Sequence, residues 1–302
     1  MVYDCMIIGG GPAGLTAAIY ARRAGLLTAV MERLYEGGQL ASIHTVDNYP
    51  GFYGMSGDEL IEKMSSHARV YDYGSINDEA TGIEENGGIF TIKTGSSAYS
   101  AKTVIIASGA SPKKLNVRGE DIFTGRGVSY CAVCDGAFFK GKDAAVIGGG
   151  NTAAQDALYL ARICRRVYMI HRRNRLRAER HFTGLIEQNP AVELIYDAIP
   201  DEIYGNESVE SLRISGVKTG NKRSLDVSGV FIAVGISPGS GFARGFTELD
   251  ESGFIKTDEY MRTNVPGVFA AGDVRTSPLR QIITATADGA VAADSARAYL
   301  ER

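Results

Sequence analysis

The sequence predicts an α/β chain built as two similar units, the second inserted into the first. Three observations predict it. A glycine-rich stretch, "GGGPAGLTAAIYARRAG" from Gly9, returns as "GGGNTAAQDALYLARIC" from Gly148, and the copies also share Ala18 with Ala157, Tyr20 with Tyr159 and Arg23 with Arg162. Each copy is followed by a similar closing run, "VIIASGASP" ending at Pro112 and "VFIAVGISP" ending at Pro238. Finally, one more strand–corner–helix pattern, "GVFAAGDVRTSPLRQIITATADGAVAADSARAYL", remains near the C-terminus as the only segment left to complete the first unit. Repetition of this kind marks two copies of one supersecondary plan, and 302 residues are enough for two domains.

The bulk properties set limits on function. Hydrophobic and charged fractions of 44% and 22% are those of an ordinary globular protein with a full core. A net charge of −3 gives no global attraction to nucleic acid or to anionic membrane. The longest apolar runs, such as "GVFIAVGI", are strand-sized and well short of the roughly 18 residues of a membrane span. The start "MVYDCMIIGGG" has no basic region and no small-residue cleavage site, so a secretory signal is not read and a cytoplasmic setting is expected. Four cysteines do not make a disulfide framework, and a Cys-x-x-Cys in that setting points to redox or metal chemistry.

The first unit opens with the apolar run Cys5–Ile8, then Gly9-x-Gly11-x-x-Gly14, then an alanine-rich helical pattern. Strand, glycine turn and helix in that order are the context in which such glycines bind a dinucleotide. The turn is tight, and backbone can approach a pyrophosphate at the positive end of the helix. The next strand, "LLTAVME", ends in Glu32, 18 residues beyond Gly14, where an acid can accept hydrogen bonds from ribose hydroxyls. Gly38, Gln39 and Asn48 are loop polar groups that a bound flavin could use, although turn chemistry alone would also explain Asn, Gly and Pro at 48–51. In the C-terminal segment, Gly272 and Asp273 form a strand-end corner whose acid can bind a ribityl hydroxyl. Arg280 and Gln281 then precede a helix whose N-terminal N–H groups would face the flavin ring.

The second unit reads Gly148-x-Gly150-x-x-Ala153, again between a strand and a helix. Its second strand, "RRVYMI", ends in His171-Arg172-Arg173, with Arg177 shortly after, and His171 occupies the position of Glu32 in the first unit. A carboxylate there would repel a 2′-phosphate, whereas guanidinium groups bind one with paired, charge-assisted hydrogen bonds. The first site therefore suits FAD and the second NADPH. The fold expected is two Rossmann-like domains: a discontinuous FAD domain of residues 1–111 and 243–302, and an inserted NADPH domain of residues 112–242. "GASPKKL" and "GISPGSGFARG" form the crossings between them.

Within the inserted unit lies "SYCAVCDGAFF", with Cys131 and Cys134 two residues apart and Asp135 directly behind. Alone, the pair reads as half a zinc site, a structural staple or an electron-exchanging dithiol. The chain around it is similar to the low-molecular-weight thioredoxin reductases of the bacterial type. "IIGGGPAG", "GGQL", "NYPGF", "GRGVSYCAVCDG", "GGGNTA", "HRRNRLRAE", "FAAGDV" and "RQIITA" carry the resemblance almost end to end. It implies a homodimeric flavoenzyme that passes electrons from NADPH through FAD and the cysteine pair to thioredoxin. By position, Cys134 resembles the cysteine that meets the flavin, Cys131 the one that attacks the thioredoxin disulfide, and Asp135 the acid/base. Val133 stands where the family commonly has Thr, and Ser108 likewise.

The residues themselves favour the redox reading. Zinc needs about four ligands, there is one Cys-x-x-Cys, and the histidines at 44, 67, 171 and 181 form no second pair. A bridge across two residues closes too small a loop to constrain much of an unfolded chain. Reduction of a disulfide also needs a proton for the departing sulfur, and Asp135 adjoins the pair. Because the dithiol must meet a flavin held by the other domain and also an external protein disulfide, rotation about the crossings at 112–115 and 236–245 is expected. The same electron path could serve a glutaredoxin-like or peroxide-reducing partner. A non-catalytic nucleotide-binding sensor is the alternative of a different class.

Overall fold

The computed structural model describes residues 1–33, 37–43, 46 and 48–302, with only the backbone at 41 and 42. The chain divides into two compact units, Met1–Ser111 with Ser237–Arg302, and Pro112–Ile236. Residues 237–242 thus belong with the first unit. Backbone and side-chain hydrogen bonds tie them there: Gly239 N–H donates to Gly109 O, Ser108 Oγ to Gly239 O, and Ser240 Oγ to Gly253 O.

In the first unit the strand Val2–Ile8 is the centre of a parallel set. It pairs with Thr28–Glu32 on one side and Ala98–Ile106 on the other, and Gly74–Asn77 extends the sheet beyond Thr28–Glu32. The C-terminal segment returns Val268–Ala270 as a further parallel strand against residues 104–106, while Ile89–Lys93 and Gly82–Asn86 add an antiparallel edge. Both faces of the central strands are covered, which is why they read as unbroken apolar runs. Cys5, Ile7 and Ile105 face the helices Pro12–Arg23, Gly57–Arg69 and Ile282–Leu300, while Met6, Ile8, Val104 and Ile106 enter the opposite core layer.

The second unit repeats the plan in shorter form. A five-stranded parallel sheet runs in the order Val192–Ile195, Arg166–Ile170, Asp143–Gly148, Gly229–Ala233, Val128–Ser129. Ala145 and Ile147 fill one core layer, and Ala144 and Val146 the other. A three-stranded antiparallel sheet, Ala198–Gly205, Val209–Gly216 and Lys222–Asp226, is added between the fourth and fifth parallel strands in chain order. The two chain crossings, Ala110–Pro112 and Ile236–Pro238, pair with each other as a two-stranded ribbon. Among the described residues no helix is long and apolar enough to cross a membrane.

The contact between helices Pro12–Arg23 and Ile282–Leu300 is close enough to dictate sequence. A Cβ at Gly289 would stand 2.1 Å from the backbone oxygen of Ala13, so no side chain fits without separating the two helices. Gly289→Ala is therefore expected to destabilise the folded protein by about 1–3 kcal/mol, the cost of overpacking a filled core, read as a lower midpoint in urea unfolding.

Candidate active site

Cys131 and Cys134 are joined by a disulfide, S–S 2.15 Å, at a short helical turn, Ala132–Asp135. Both cysteines and Asp135 are half-buried, and Val133 between them is exposed. The turn starts where the edge strand Val128–Ser129 ends. It is seated on the helix Asn151–Leu160: a Cβ at Gly136 would lie 2.9 Å from Tyr159 and 3.0 Å from Leu160. The Cys134 N–H points at Cys131 Sγ, 3.2 Å away, a donor that favours negative charge on that sulfur once the bond is reduced.

Two anchors of this turn had no signal in the sequence. Ser129, 5% exposed, donates its hydroxyl to Asp135 Oδ2 at 2.6 Å and accepts the Cys131 N–H at 3.0 Å. Glu120, 2% exposed, accepts N–H groups from Leu115 at 2.9 Å and Asn116 at 2.6 Å, and the Tyr130 hydroxyl at 2.8 Å. Both are polar residues next to apolar ones, and only the tertiary structure shows what they hold.

Cys5 and Cys164 are free and buried. Burial pushes the Cys5 thiol up to about 12 and the Cys164 thiol up to about 11, so neither is a nucleophile at neutral pH. Among the described residues no group of three or more His, Cys, Asp or Glu side chains could hold a metal ion, and His44 lies outside those residues.

Both glycine turns show which glycines the fold needs and which it does not. A Cβ at Gly9 would strike Ala107 O at 2.3 Å and one at Gly14 would strike Gly9 O at 1.8 Å, so these two serve close backbone packing. Gly11, with φ −78°, meets only Gly37 O at 3.9 Å. In the second unit a Cβ at Gly148 would strike Ala233 O at 2.4 Å and Ala153 Cβ at 2.6 Å, whereas Gly150 has nothing within 4 Å. Gly11 and Gly150 are the N-caps of helices Pro12–Arg23 and Asn151–Leu160, which have neither a side-chain cap nor an acid in the first turn. Space and unserved N–H groups therefore coincide at each helix start, the arrangement that admits a phosphate.

Around the first turn the structure gathers most of the expected residues. Glu32, at the end of its strand, accepts the Gly10 N–H at 2.8 Å and the Arg33 N–H at 2.8 Å, so it fastens the turn as well as facing solvent. Gly37 N–H donates to Gly10 O, which brings the Gly38–Ser42 helical turn, with Gly38 and Gln39, beside it. A Cβ at Gly272 would lie 2.9 Å from Ala13 Cβ, placing the Gly272–Asp273 corner at the same helix start. Asn48 Nδ2 donates to Gln281 Oε1 at 2.9 Å, joining two other expected residues at the head of the last helix. The corner itself is held by a clamp that sequence reasoning missed. Asp288, 7% exposed, takes Arg275 in two hydrogen bonds of 2.7 and 2.8 Å and the Gly272 N–H at 3.0 Å. Burial holds the Asp273 carboxyl above the usual range, the nearby Arg280 opposes this, and Asp288 adds to it. Arg280 stacks on Phe254, with Cζ 4.2 Å from the ring centre.

In the second unit His171 lies under the turn, 5% exposed, so close that a Cβ at Gly149 would meet its Nδ1 at 2.2 Å. Burial, then Arg177, Arg173 and Arg172 in that order, hold its imidazole below the ordinary value, so it is neutral at pH 7. Arg177 N–H donates to Gly149 O at 2.6 Å, which draws the arginine segment onto the turn. Arg172, Arg173 and Arg177 are exposed, and among the described residues none of them has a carboxylate within 4.0 Å. Two buried side-chain nitrogens among the described residues lack a hydrogen-bond partner, His171 Nε2 and Arg280 Nε, one in each expected cofactor set.

Residues 3–289 match the model of the pyridine nucleotide-disulphide oxidoreductase family. The thioredoxin reductase of Listeria innocua is 44% identical over 99% of this chain and 94% of its own length. The chain belongs to the thioredoxin reductase family. Among solved structures, the thioredoxin reductase from Streptococcus pyogenes is 44% identical and superposes with a TM-score of 0.96 over 99% of this chain and 98% of that one. The Lactococcus lactis thioredoxin reductase in its FR conformation is 42% identical, with a TM-score of 0.68 over 99% of each chain. In this member of the family the exchange-competent sulfurs are thus confined to one turn, with the other two thiols sealed in the core. After reduction, iodoacetamide at neutral pH is expected to modify Cys131 and Cys134, while Cys5 and Cys164 react only after denaturation, as peptide mass mapping would show.

Proposed function

We propose that the chain is an NADPH-dependent thioredoxin reductase whose first unit holds FAD and whose inserted unit holds NADPH and the redox pair. The observation that carries this reading is the Cys131–Cys134 disulfide, half-buried beside a carboxylate, in a chain whose relatives over its whole length are thioredoxin reductases. The residues fit the cofactors. Gly11 and Gly150 leave room that the fold itself does not require, next to helix N-termini without caps. Among the described residues, three exposed arginines without carboxylate partners suit a 2′-phosphate, the Arg280 Nε–H lacks an acceptor, and the neutral His171 lacks a partner at Nε2.

FAD would be held by Gly9, Gly11, Gly14, Glu32, Gly38, Gln39, Asn48, Gly272, Asp273, Arg280 and Gln281. NADPH would be held by Gly148, Gly150, Ala153, His171, Arg172, Arg173 and Arg177. The chemistry the bound flavin supplies is two-electron transfer between a hydride donor and the disulfide. The chain's own part begins with the reduced pair. Cys131 as thiolate attacks the disulfide of thioredoxin, and a mixed disulfide forms. Cys134 then attacks Cys131 Sγ, which closes the Cys131–Cys134 bond and releases dithiol thioredoxin. Asp135 carries the proton between Cys134 and the departing sulfur. The working assembly in this reading is a homodimer, in the cytoplasm.

Rotation of one unit against the other completes the cycle. Relatives of nearly equal identity, 44% and 42%, superpose at 0.96 and 0.68, a spread larger than their identities account for, which supports this reading. A cross-link engineered between the units should therefore abolish steady-state turnover yet leave flavin binding intact. Undiminished turnover would count against rotation.

The test of the function is anaerobic addition of excess NADPH, which should bleach the flavin, followed by steady-state oxidation of NADPH with thioredoxin. Cys134→Ser should bleach but not turn over. Replacing Arg172 and Arg173 by Ala should raise KM for NADPH by roughly tenfold or more per charged hydrogen bond lost, with little effect on KM for NADH. A flavin that stays oxidised with NADPH would falsify the proposal.

A further inference from the structure

The hydroxyl of Ser129 occupies an unusual position. It lies within hydrogen-bonding reach of three groups of the redox turn: Asp135 Oδ2 at 2.6 Å, the Cys131 N–H at 3.0 Å and the Cys131 carbonyl oxygen at 3.3 Å. The side chain is 5% exposed at the end of an edge strand whose register is set by pairing with Phe231, so it cannot swing away to solvent. A hydroxyl has one proton and two lone pairs. The Cys131 N–H takes one lone pair. The proton then has two acceptors to choose from, the Asp135 carboxylate or the Cys131 carbonyl.

These alternatives match the two protonation states that an acid/base must pass through. While Asp135 is ionised, the Ser129 proton belongs on Oδ2, the shorter and charge-assisted bond. Once Asp135 carries a proton, its own O–H can donate to the second lone pair of Ser129, and the Ser129 proton turns to the Cys131 carbonyl. Asp135 can therefore gain and lose its proton with a rotation of one hydroxyl and no displacement of the carboxyl group.

We propose that Ser129 is a positioning residue for disulfide exchange, holding Asp135 in one orientation in both protonation states while fixing the backbone of Cys131. The assignment rests on the thioredoxin-reductase reading. In the exchange step, one S–S bond of the partner breaks and the Cys131–Cys134 bond forms. The partner is reduced by two electrons, the cysteine pair is oxidised, and the Cys134 proton together with one taken from solvent ends on the partner's two sulfurs. One of those protons travels through Asp135. Ser129 neither gains nor loses a proton overall.

The experiment compares Ser129→Ala, Asp135→Asn and the double variant with the parent protein as holoenzyme. It measures anaerobic flavin bleaching by excess NADPH and the pH dependence of turnover with a thioredoxin disulfide between about pH 5 and 9. Ser129→Ala should bleach like the parent. Its kcat should fall roughly tenfold, a part of the 10²–10⁴ that general acid–base catalysis supplies, with KM for the disulfide within about twofold. The acid limb of its profile should move to higher pH, because the carboxylate loses a donor that favours its charged form. The double variant should be no slower than Asp135→Asn alone, since the serine acts through the aspartate.

Superimposable pH profiles for Ser129→Ala and the parent, or fully additive losses in the double variant, would overturn the assignment. Should Ser129→Ala fail to retain flavin, Ser129→Thr and Ser129→Val form an isosteric pair that differs only in the hydroxyl. Thr is expected to keep the parental profile and Val to show the shift, and equal behaviour of the two would also overturn it. A parent protein that does not bleach would remove the functional reading and the Ser129 assignment with it. Bleaching with an unaltered variant profile removes only the latter.

Discussion

Backbone meeting backbone with no room for a Cβ is the constraint on which both units are built. Gly14 against Gly9 O, Gly9 against Ala107 O and Gly289 against Ala13 O bring a helix onto its turn, two strand ends together and two helices together, at distances that a single methyl group would break. Gly148 against Ala233 O does the same in the second unit. These contacts place the start of each helix directly over the ends of parallel strands, so the N–H groups of the first turn face outward at the carboxyl edge of the sheet. The glycines that pack (9, 14, 148) create the position, and the glycines that do not pack (11, 150) keep it open. In the first unit the clamp between Arg275 and Asp288 extends the constraint to the chain's far end by fixing the Gly272–Asp273 corner above the same helix start.

How much of this could be read in the sequence depended on whether a feature is periodic or punctual. The parallel strands, the glycine turns and the helices that follow repeat at a fixed spacing, and the contrast between Glu32 and His171-Arg172-Arg173 sits at a fixed offset from each turn. These were legible. Glu32 was legible only in part: an acid at that offset reads as a ribose ligand, but its two oxygens also hold the Gly10 and Arg33 N–H groups, a local role that spacing does not reveal. The antiparallel sheet from Ala198 to Asp226 interrupts the repeat, and its half-exposed strands give a weaker pattern than buried parallel ones. Asp288, Glu120 and Ser129 are single polar residues whose partners are set by tertiary folding, and a one-residue signal has no period to detect.

The two turns also show how similar frames come to differ in charge without differing in shape. His171 takes the place of Glu32, but burial and three neighbouring guanidinium groups keep it neutral, so it packs under Gly149 as an uncharged plate. The positive charge of the second site is carried instead by the exposed side chains of Arg172, Arg173 and Arg177. Separation of these tasks has a physical basis. A buried imidazolium would carry a large desolvation cost under the turn, whereas exposed guanidinium groups remain hydrated.

The crossings are held by hydrogen bonds at their two ends. On the first unit's side, Ser108 Oγ holds Gly239 O and Ser240 Oγ holds Gly253 O, so the chain is anchored at both exits. On the second unit's side, Glu120 collects the N–H groups of residues 115–117 and the hydroxyl of Tyr130, next to Cys131. What lies between is short: Ala110–Pro112 and Ile236–Pro238, paired as a ribbon, with Gly109 at φ 67° and Gly235 at φ 121° beside it. Glycine tolerates those angles and their neighbours at little cost, while the prolines at 112 and 238 keep the ribbon itself stiff. The two glycines are thus the points of these segments where the backbone turns at least cost, and the prolines stiffen the paired residues next to them. Glu120 fastens the second-unit end of one crossing to the residue preceding Cys131, so within that unit the crossing and the redox turn, with its hydrogen bonds to Ser129, form one hydrogen-bonded assembly.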